Sequence, residues 1–206
     1  MHISDGVLPI SVAIGTYVVS AGICTWSVKR TRSEDLPKVA VLTAAFFVAS
    51  LIHLPFGPTS VHLIIPGLVG ALLGPSAFLA IALGLVLQCL LFQFGGLTAL
   101  GANMLMMGLP ALLAGWFFYH FKGRSRKQRI FVGALCGGGA TVFAALLLAL
   151  LLASGGEDFY GVAKLALIAH IPVVLIETGV TAMIVSFLLK VKPELLETPF
   201  ALKGQK

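Results

Sequence analysis

The longest stretch of this chain without a charged side chain includes all of Val39–Tyr119 and ends just before Lys122, and it limits the possible folds more than any other feature. It contains no Asp, Glu, Lys or Arg. A run of this length predicts several membrane crossings joined by short uncharged turns. Of all residues, 58% are hydrophobic and 11% are charged, whereas a soluble domain carries about 25% charged residues. We therefore expect an all-α integral membrane protein.

Seven apolar segments predict seven transmembrane helices in a single membrane-embedded domain, residues 1–206. Pro37, Gly74-Pro75 and Gly155-Gly156 mark boundaries between segments. One helix over 60–94 would be about 50 Å long against a hydrocarbon core of about 30 Å, so two helices meeting at Gly74-Pro75 are predicted. The predicted spans are 7–28, 38–54, 60–74, 76–94, 103–121, 130–153 and 161–189.

The basic residues distinguish seven crossings from six. Loops at 29–38, 122–129 and 190–206 hold 13 of the 14 Lys and Arg residues. Seven helices place all three loops in the cytoplasm, as the positive-inside rule requires, whereas six would place 122–129 outside. We predict an N-terminus outside, a C-terminus inside and a cytoplasmic tail over 190–206. The same loops account for the net charge of +6, so nucleic acid is not predicted as a partner.

The third predicted span, 60–74, is short, at about 22 Å. We expect it to begin below the membrane surface, in a recess that faces outside, where surrounding protein or a cavity tolerates irregular backbone. The preceding segment, 54–60, contains two prolines and predicts an irregular loop. His62 lies at the recessed end of the span. His53 ends the second span, and both a structural role and pocket lining are open for it.

The N-terminal segment, residues 1–6, reads Met-His-Ile-Ser-Asp-Gly and lacks the basic start of a secretory signal peptide. The aminopeptidase that trims initiator methionine needs a small second residue, so we expect a free amine on Met1. That amine and the His2 amide nitrogen can close a five-membered ring on a metal ion. The amide nitrogen and Nδ1 of His2 can close a six-membered ring.

This chelate supplies three nitrogens in one plane, and a fourth from His62 would complete a square. Planar nitrogen coordination suits Ni(II) or Cu(II), and imidazole also suits cobalt, whereas calcium and magnesium prefer oxygen. The amide must lose its proton, so binding would depend on pH. The residues alone leave open a second interpretation, in which His2 is an exposed terminal residue and His62 an ordinary loop residue.

His170 and Glu177 lie one heptad apart on one face of the last predicted span. Ionisable residues inside a membrane mark functional sites by default. A hydrogen-bonded pair that fixes helix packing and a role with the substrate are both open. His120 is interpreted as a solvated helix end. The cysteines form no CxxC pair and are interpreted as buried apolar side chains.

Five motifs, taken in order, resemble the substrate-binding S component of energy-coupling-factor (ECF) nickel and cobalt importers, the CbiM/NikM family. The resemblance spans nearly the whole chain. Ser4 stands where many members have another residue. Leu63 follows His62 where many cobalt-type members have proline, which leaves the choice between nickel and cobalt open. The motifs are Met1–Gly6, Thr59–His62, Gly70–Pro75, Gly95–Asn103, and Ala169–Pro172 with Glu177.

The resemblance implies that the metal is held by the Met1 amine, by the main-chain and side-chain nitrogens of His2, and by His62. It places Asn103 beside the pocket, where we expect it to orient the N-terminal segment. It implies capture of Co(II) or Ni(II) from outside and delivery across the cytoplasmic membrane of a prokaryote. The metal is the transported ligand, and no prosthetic group is expected.

The partners implied by the resemblance are a transmembrane T component, two ATP-binding cassette subunits and, in many such systems, a small accessory membrane subunit. The chain has no GxxxxGK[ST] motif, so we expect a transport component and not an enzyme. Two lines of small residues predict close helix approach, either within the chain or to the T component. They are Gly67, Gly70 and Gly74, and Gly133 and Gly137.

Three rival interpretations remain. A secondary transporter or channel would move the metal without ATP. An intramembrane metalloenzyme would have to be built on His170 and Glu177, but the sequence has no HExxH motif to support it. A structural subunit without a ligand would leave the combination of His2 and His62 unexplained.

Overall fold

The computed structural model describes residues 2–51, 53–56 and 59–197, and the side chains of 53–56 and 59–62 lie outside the description. Over these ranges the regular secondary structure is helical except for one short antiparallel hairpin. The described elements are α1 (Ile10–Arg30), α2 (Leu36–Leu51), β1 (His53–Phe56), β2 (Thr59–His62), α3 (Pro66–Leu73), α4 (Ala77–Phe92), α5 (Leu100–Phe121), α6 (Arg126–Ala153) and α7 (Tyr160–Val191).

Within the described ranges, five helical stretches are long and apolar enough to cross a membrane. The prediction of a helical membrane protein is confirmed in this form. The count of seven crossings and the orientation of the termini stay predictions. The five stretches are Ile10–Arg30, Pro66–Phe92, Leu100–Phe121, Arg126–Ala153 and Glu157–Val191.

The stretch Pro66–Phe92 is not one straight helix, because the chain reverses at Gly74. This residue has φ 53° and ψ −120°, a conformation in which a side chain would be strained. A single turn of 3-10 helix, Gly74–Ser76, then leads into α4. The break predicted at Gly74-Pro75 is therefore present.

Contacts with α1 and α5 establish the directions of α3 and α4. The hydroxyl of Ser27, near the end of α1, donates to the Pro75 carbonyl at 2.6 Å. The hydroxyl of Tyr17, near the start of α1, donates to the Leu97 carbonyl beyond α4. α4 therefore runs antiparallel to α1. α3 runs in the opposite direction, alongside α5, since Gly70 lies against Ala111 and Gly74, just after the end of α3, lies against Gly115.

The segment before α3 differs from the predicted irregular loop. β1 and β2 pair in a register that places the backbone of His53 opposite that of His62. Residues 57 and 58 lie outside the described residues. α3 then begins with Pro66 at its first position, where a missing N–H costs nothing. All eight residues of α3 are buried, so this short helix lies inside the bundle.

Close backbone contacts explain the two lines of small residues. A Cβ on Gly67 would overlap the Cys136 carbonyl oxygen and lie 2.6 Å from Cα of Gly137. A Cβ on Gly137 would lie 2.5 Å from the Glu177 carbonyl oxygen. Gly133 faces the side chain of Val185 in the same way. At these positions the small residues serve packing within the chain, which allows α3, α6 and α7 to meet backbone to backbone.

The residues after α7 cross the opposite end of the bundle from His2. We refer to Pro193–Glu197 as the C-terminal strap. Lys38 donates to the Leu195 carbonyl at 2.8 Å, and Lys122 donates to the Leu196 carbonyl at 3.0 Å. The Leu196 side chain is fully buried. The strap thus ties α2, α5 and α7 together at this end.

Glu197 completes the strap with two ion pairs, to Lys122 at 2.7 Å and to Arg129 at 2.9 Å. The hydrogen bond from Lys122, followed by the one from Arg129, lowers the pKa of Glu197 below its ordinary value. A carboxylate with a lowered pKa stabilises the folded state above its unfolded pKa, near 4.3, and this stabilisation is lost as the pH falls through the lowered value.

We expect Glu197→Gln to lower the unfolding temperature slightly at neutral pH and to have a progressively smaller effect as the pH falls below about 4. The difference should correspond to about 0.5 kcal/mol, since the Glu197 side chain is 57% exposed and solvent screens such pairs. Thermal unfolding in detergent at several pH values measures this difference. A difference in unfolding temperature between wild type and Glu197→Gln that grows as the pH falls would contradict a stabilising role for the charged Glu197 carboxylate.

Candidate metal centre

The N-terminal segment is folded into the bundle between the end of α4 and the start of α5. Ile3 is fully buried, and His2 is 5% exposed. The Ile3 N–H donates to Oδ1 of Asn103 at 2.8 Å, and Nδ2 of Asn103 donates to the Ile3 carbonyl at 3.1 Å. One amide side chain therefore satisfies both backbone groups of a buried residue, much as a neighbouring strand would. Asn103 thus contacts the N-terminal segment, and its predicted role beside a metal stays a prediction.

Two glycines before α5 let the N-terminal segment come close. Gly95 and Gly96 have φ of 78° and 64°, values that L side chains rarely adopt. A Cβ on Gly95 would lie 2.6 Å from Nδ2 of Asn103 and 3.0 Å from Cδ2 of His2. A Cβ on Gly96 would overlap the carboxyl group of Asp5. Residues 2–5 therefore pack against the motif Gly95–Asn103.

Asp5 ties the outer part of the segment to the same motif. Its Oδ1 accepts hydrogen bonds from the Thr98 hydroxyl at 2.5 Å and from the Thr98 N–H at 2.7 Å. The Thr98 hydroxyl is the largest cause of the lowered pKa of Asp5, because a hydrogen bond to a carboxylate favours its charged form. Asp5 is therefore ionised at neutral pH and restrains the N-terminal segment.

A series of hydrogen bonds through Gln88 and Ser50 holds the His2 ring in place. Nε2 of His2 lies 2.7 Å from Oε1 of Gln88, and Nε2 of Gln88 donates to the Ser50 hydroxyl at 2.5 Å. That hydroxyl donates to the Phe47 carbonyl at 2.7 Å. Gln88 and Ser50 are both fully buried.

The hydrogen bonds that lead from His2 to Phe47 have a fixed donor-to-acceptor direction, and this direction determines the tautomer of neutral His2. The Phe47 carbonyl can only accept a hydrogen bond. The Ser50 hydroxyl therefore donates its one proton to that carbonyl and accepts a hydrogen bond from the Gln88 amide nitrogen. The Gln88 oxygen then faces His2 and accepts from its Nε2–H. Nδ1 is consequently the unprotonated ring nitrogen, and it can act as a metal ligand. It is also the nitrogen that a six-membered chelate with the His2 amide requires.

The remaining members of the predicted ligand set lie at the edge of the description. Met1 and the side chains of His62 and His53 lie outside the described residues. The described backbone carries His62 to the end of β2, four residues before α3 begins at Pro66. Among the described residues, no group of three or more His, Cys, Asp or Glu side chains could hold a metal ion. Of the predicted ligands, His2 alone has a side chain within the described residues. The metal site as a whole therefore stays a prediction.

His170 and Glu177 do not form the hydrogen-bonded pair that was one of their two predicted roles. Nδ1 of His170 lies 2.5 Å from the Ala166 carbonyl of its own helix, and Nε2 has no partner among the described residues. Oε1 of Glu177 instead accepts from the backbone N–H groups of Ile64 and Ile65, each at 2.7 Å. Glu177 thus reaches the segment that follows His62.

Sequence reasoning missed Gln88, Ser50 and Thr98. Gln88 is a polar residue within the apolar run of α4, and such a residue in a membrane helix usually has a partner to satisfy it. That signal was available in the sequence. The pairing of Thr98 with Asp5 and of Ser50 with Gln88 had no signal there, because each joins residues that are distant in the chain.

Comparisons with known proteins bear on this arrangement. The family described as "Cobalt uptake substrate-specific transmembrane region", CbiM, matches residues 2–195. A Haemophilus influenzae protein named "Putative metal transport protein" is 39% identical over 95% of this chain and 97% of its own length. The "Putative fused nickel transport protein NikMN" of Archaeoglobus fulgidus is 34% identical, over 96% of this chain and 68% of the relative.

The "Cobalt transport protein CbiM" of Sorangium cellulosum is 30% identical over 96% of this chain and 95% of its own length. Among solved structures, a crystal structure of a transition metal transporter matches with a TM-score of 0.79 and 26% identity, covering 96% of both chains. A truncated transition metal transporter matches with a TM-score of 0.77, over 92% of this chain and 99% of that one. The arrangement of helices is therefore shared with these proteins.

Proposed function

Since this chain belongs to the CbiM family of substrate-specific transmembrane regions for cobalt uptake, we propose that it captures Co(II) or Ni(II) from outside the cell for an ATP-driven importer of the ECF type. It is a membrane component of cobalt and nickel transport. The proposal adds the direction of transport, the site and the source of energy.

The proposed ligands are the Met1 amine, the amide nitrogen and Nδ1 of His2, and the imidazole of His62. The observation that carries this proposal is the buried His2 ring, whose Nε2–H is taken up by Gln88. A ligating histidine ordinarily donates its other ring N–H to a polar group, which fixes the tautomer and the ring orientation. Gln88 does this for Nδ1 ligation, and Asn103 holds the next residue of the chelating segment in place.

The donor set favours late first-row transition metals, nickel and cobalt among them, over Ca²⁺ and Mg²⁺. Four nitrogens in a plane suit a late first-row transition metal, whereas Ca²⁺ and Mg²⁺ need several oxygen ligands. Names of relatives include both metals, and Leu63 after His62 leaves the choice between them open. Within the proposed site, Asn103 supports the N-terminal segment and Glu177 supports the segment after His62.

We further propose seven crossings for a single membrane-embedded unit, with the N-terminus outside and the strap in the cytoplasm of a prokaryotic inner membrane. The seven α-helices of the described residues support this count, as does the reversal at Gly74. The charge distribution supports the orientation. His2 and Asn103 lie at one end of α5, whereas Lys122 and Arg129 lie at the other, and basic residues mark the cytoplasmic side.

The energy for release is proposed to come from partners: a T component, two ATP-binding cassette subunits and a small accessory subunit. The supporting observation is the missing GxxxxGK[ST] motif, since a P-loop is what cradles ATP phosphates. The alternative is an ATP-independent transporter or channel. Proteoliposomes containing this chain alone distinguish the two, because the alternative predicts Ni(II) uptake and the ECF proposal predicts none until the partners and ATP are added.

Purified protein is expected to bind Ni(II) with the absorption spectrum of square-planar nitrogen coordination. His62→Ala should weaken binding and shift the spectrum, because a water replaces one of four nitrogens. His120→Ala is the matched control, since His120 caps the far end of α5 beside Trp116, and it should leave both unchanged. Wild-type protein that binds no metal, or binds it with an octahedral oxygen-type spectrum, would contradict the proposed site.

A further inference from the structure

The Glu177 carboxylate lies near the middle of α7 and is fully buried. Its Oε1 accepts two backbone hydrogen bonds, from Ile64 and Ile65. Two N–H groups that converge on a carboxylate make charge-assisted bonds, which are about twice as strong as neutral ones. They also lie at the N-terminus of α3, where the helix dipole favours a negative charge. Among the described residues, the Glu177 carboxylate therefore hydrogen-bonds only to the turn at Ile64 and Ile65 that precedes α3.

The turn itself is strained. Ile65 has φ 47° and ψ 34°, the left-handed conformation. For a β-branched residue this is a genuine outlier, and such a conformation persists only where its surroundings hold it. The two bonds to Glu177 fall on Ile65 and on the residue before it. They are therefore placed to hold the chain in this conformation as it passes from β2 into α3.

The two sides of the turn differ in their freedom. On its far side, α3 is fixed, because Gly67 meets the backbone of Cys136 and Gly137 without room for a Cβ. On its near side, β2 pairs with β1 alone in the described residues and lies against α7 and α2 far less extensively than α3 lies against α5 and α6, so the hairpin is held less firmly than α3. His62 is the last residue of β2, two residues before Ile64.

We propose that Glu177 is a positioning residue that holds the His62 end of the hairpin in its metal-binding position, so that the contribution of His62 to metal affinity depends on the two hydrogen bonds that the Glu177 side-chain oxygen accepts. This rests on the proposed function. It also names a route for release: a shift of α7 against α3 would withdraw the carboxylate, let Ile65 leave its strained conformation and carry His62 away from the metal.

A double-mutant cycle on the full-length protein tests the proposal with Ni(II) as the probe. His62→Ala and Glu177→Ala should each weaken Ni(II) binding, Glu177→Ala by the roughly 10–100-fold that loss of a partner supporting a ligand costs. The double variant should bind no more weakly than His62→Ala alone. The absorption spectrum of Glu177→Ala should become that of His62→Ala, which a loss of stability alone would not produce.

Two further variants keep the test decisive if Glu177→Ala folds poorly. Glu177→Gln retains an oxygen that can accept both N–H groups and should bind Ni(II) within a few-fold of wild type. Thr181→Val is the matched control, one turn further along the same buried face, and it should leave affinity and spectrum unchanged. Thr181 has no hydrogen-bond partner for its hydroxyl among the described residues.

The inference is wrong if the losses of Ni(II) affinity in His62→Ala and Glu177→Ala add in the double variant. It is also wrong if Glu177→Gln binds Ni(II) as weakly as Glu177→Ala does. If wild type binds Ni(II) and His62→Ala weakens it while the cycle is additive, the proposed function stands and only this inference fails. If wild type binds no metal, both fail.

Discussion

Two alanines placed before Met1 should weaken Ni(II) binding by more than 100-fold. The extension moves the terminal amine two residues away and leaves at Met1 an amide nitrogen that binds Ni(II) only after losing its own proton, so the amine end of the chelate is lost. A single added residue would instead create an N-terminal Xaa-Xaa-His sequence, which is itself a square-planar nickel chelator. The segment cannot slide to compensate, because His2 and Ile3 are buried and Asn103 holds both backbone groups of Ile3. The loss should therefore exceed the roughly 10–100-fold cost of removing an outer partner of a ligand.

Titration of Ni(II) with the extended protein, followed by absorption and calorimetry, measures this effect. Ser4→Ala is the control, because Ser4 is an exposed residue of the same segment and its change leaves the amine in place. It should bind as wild type does. Unchanged binding by the extended protein would show that the Met1 amine is not a ligand, even if His2 is.

Replacing Gly70 by alanine should destabilise the bundle by roughly 3 kcal/mol, at the upper end of the usual cost of overpacking. The added Cβ would overlap the Ala111 carbonyl oxygen and lie 3.0 Å from the backbone nitrogen of Gly115. Both obstacles are backbone atoms of α5, so no side chain can rotate away. Relief would require α3 and α5 to separate.

Gly139→Ala is the matched control for this prediction. Gly139 lies inside α6, and a Cβ there would meet nothing within 4 Å. Alanine also favours a helix interior over glycine by up to about 1 kcal/mol, so the control should be neutral or slightly stabilising. Thermal unfolding in the same detergent compares the two variants. Equal melting temperatures would show that α3 and α5 are not packed as described.

The helices could be predicted because their signals are local. The uncharged apolar run, its break at Gly74-Pro75 and the basic loops indicate where helices begin and end to within four residues, except that α3 begins at Pro66, six residues after the predicted start of the third span. The hairpin β1–β2 was predicted as an irregular loop for the same reason. Its prolines argued against a helix, but strand pairing depends on contacts that local sequence does not reveal.

The candidate site was predictable in one part and hidden in another. The chelating ability of Met1 and His2 is a property of two adjacent residues, and the family resemblance adds His62 and Asn103. The role of Glu177 was not predictable, since its periodicity pointed to His170. In the structure its carboxylate reaches Ile64 and Ile65, more than one hundred residues earlier in the chain.

By itself, the sequence determined a helical membrane protein with a polar, histidine-bearing N-terminal segment, because hydropathy and chelate chemistry depend on residue type and close spacing. The tertiary structure alone decided how that segment is held. Only folding brings the Gly95–Asn103 motif and Gln88 against residues 2–5, and it gives neutral His2 the tautomer with an unprotonated Nδ1, the ring nitrogen proposed as the metal ligand. The physical reason is that hydrogen-bond direction depends on which buried groups meet, and those groups lie far apart along the chain.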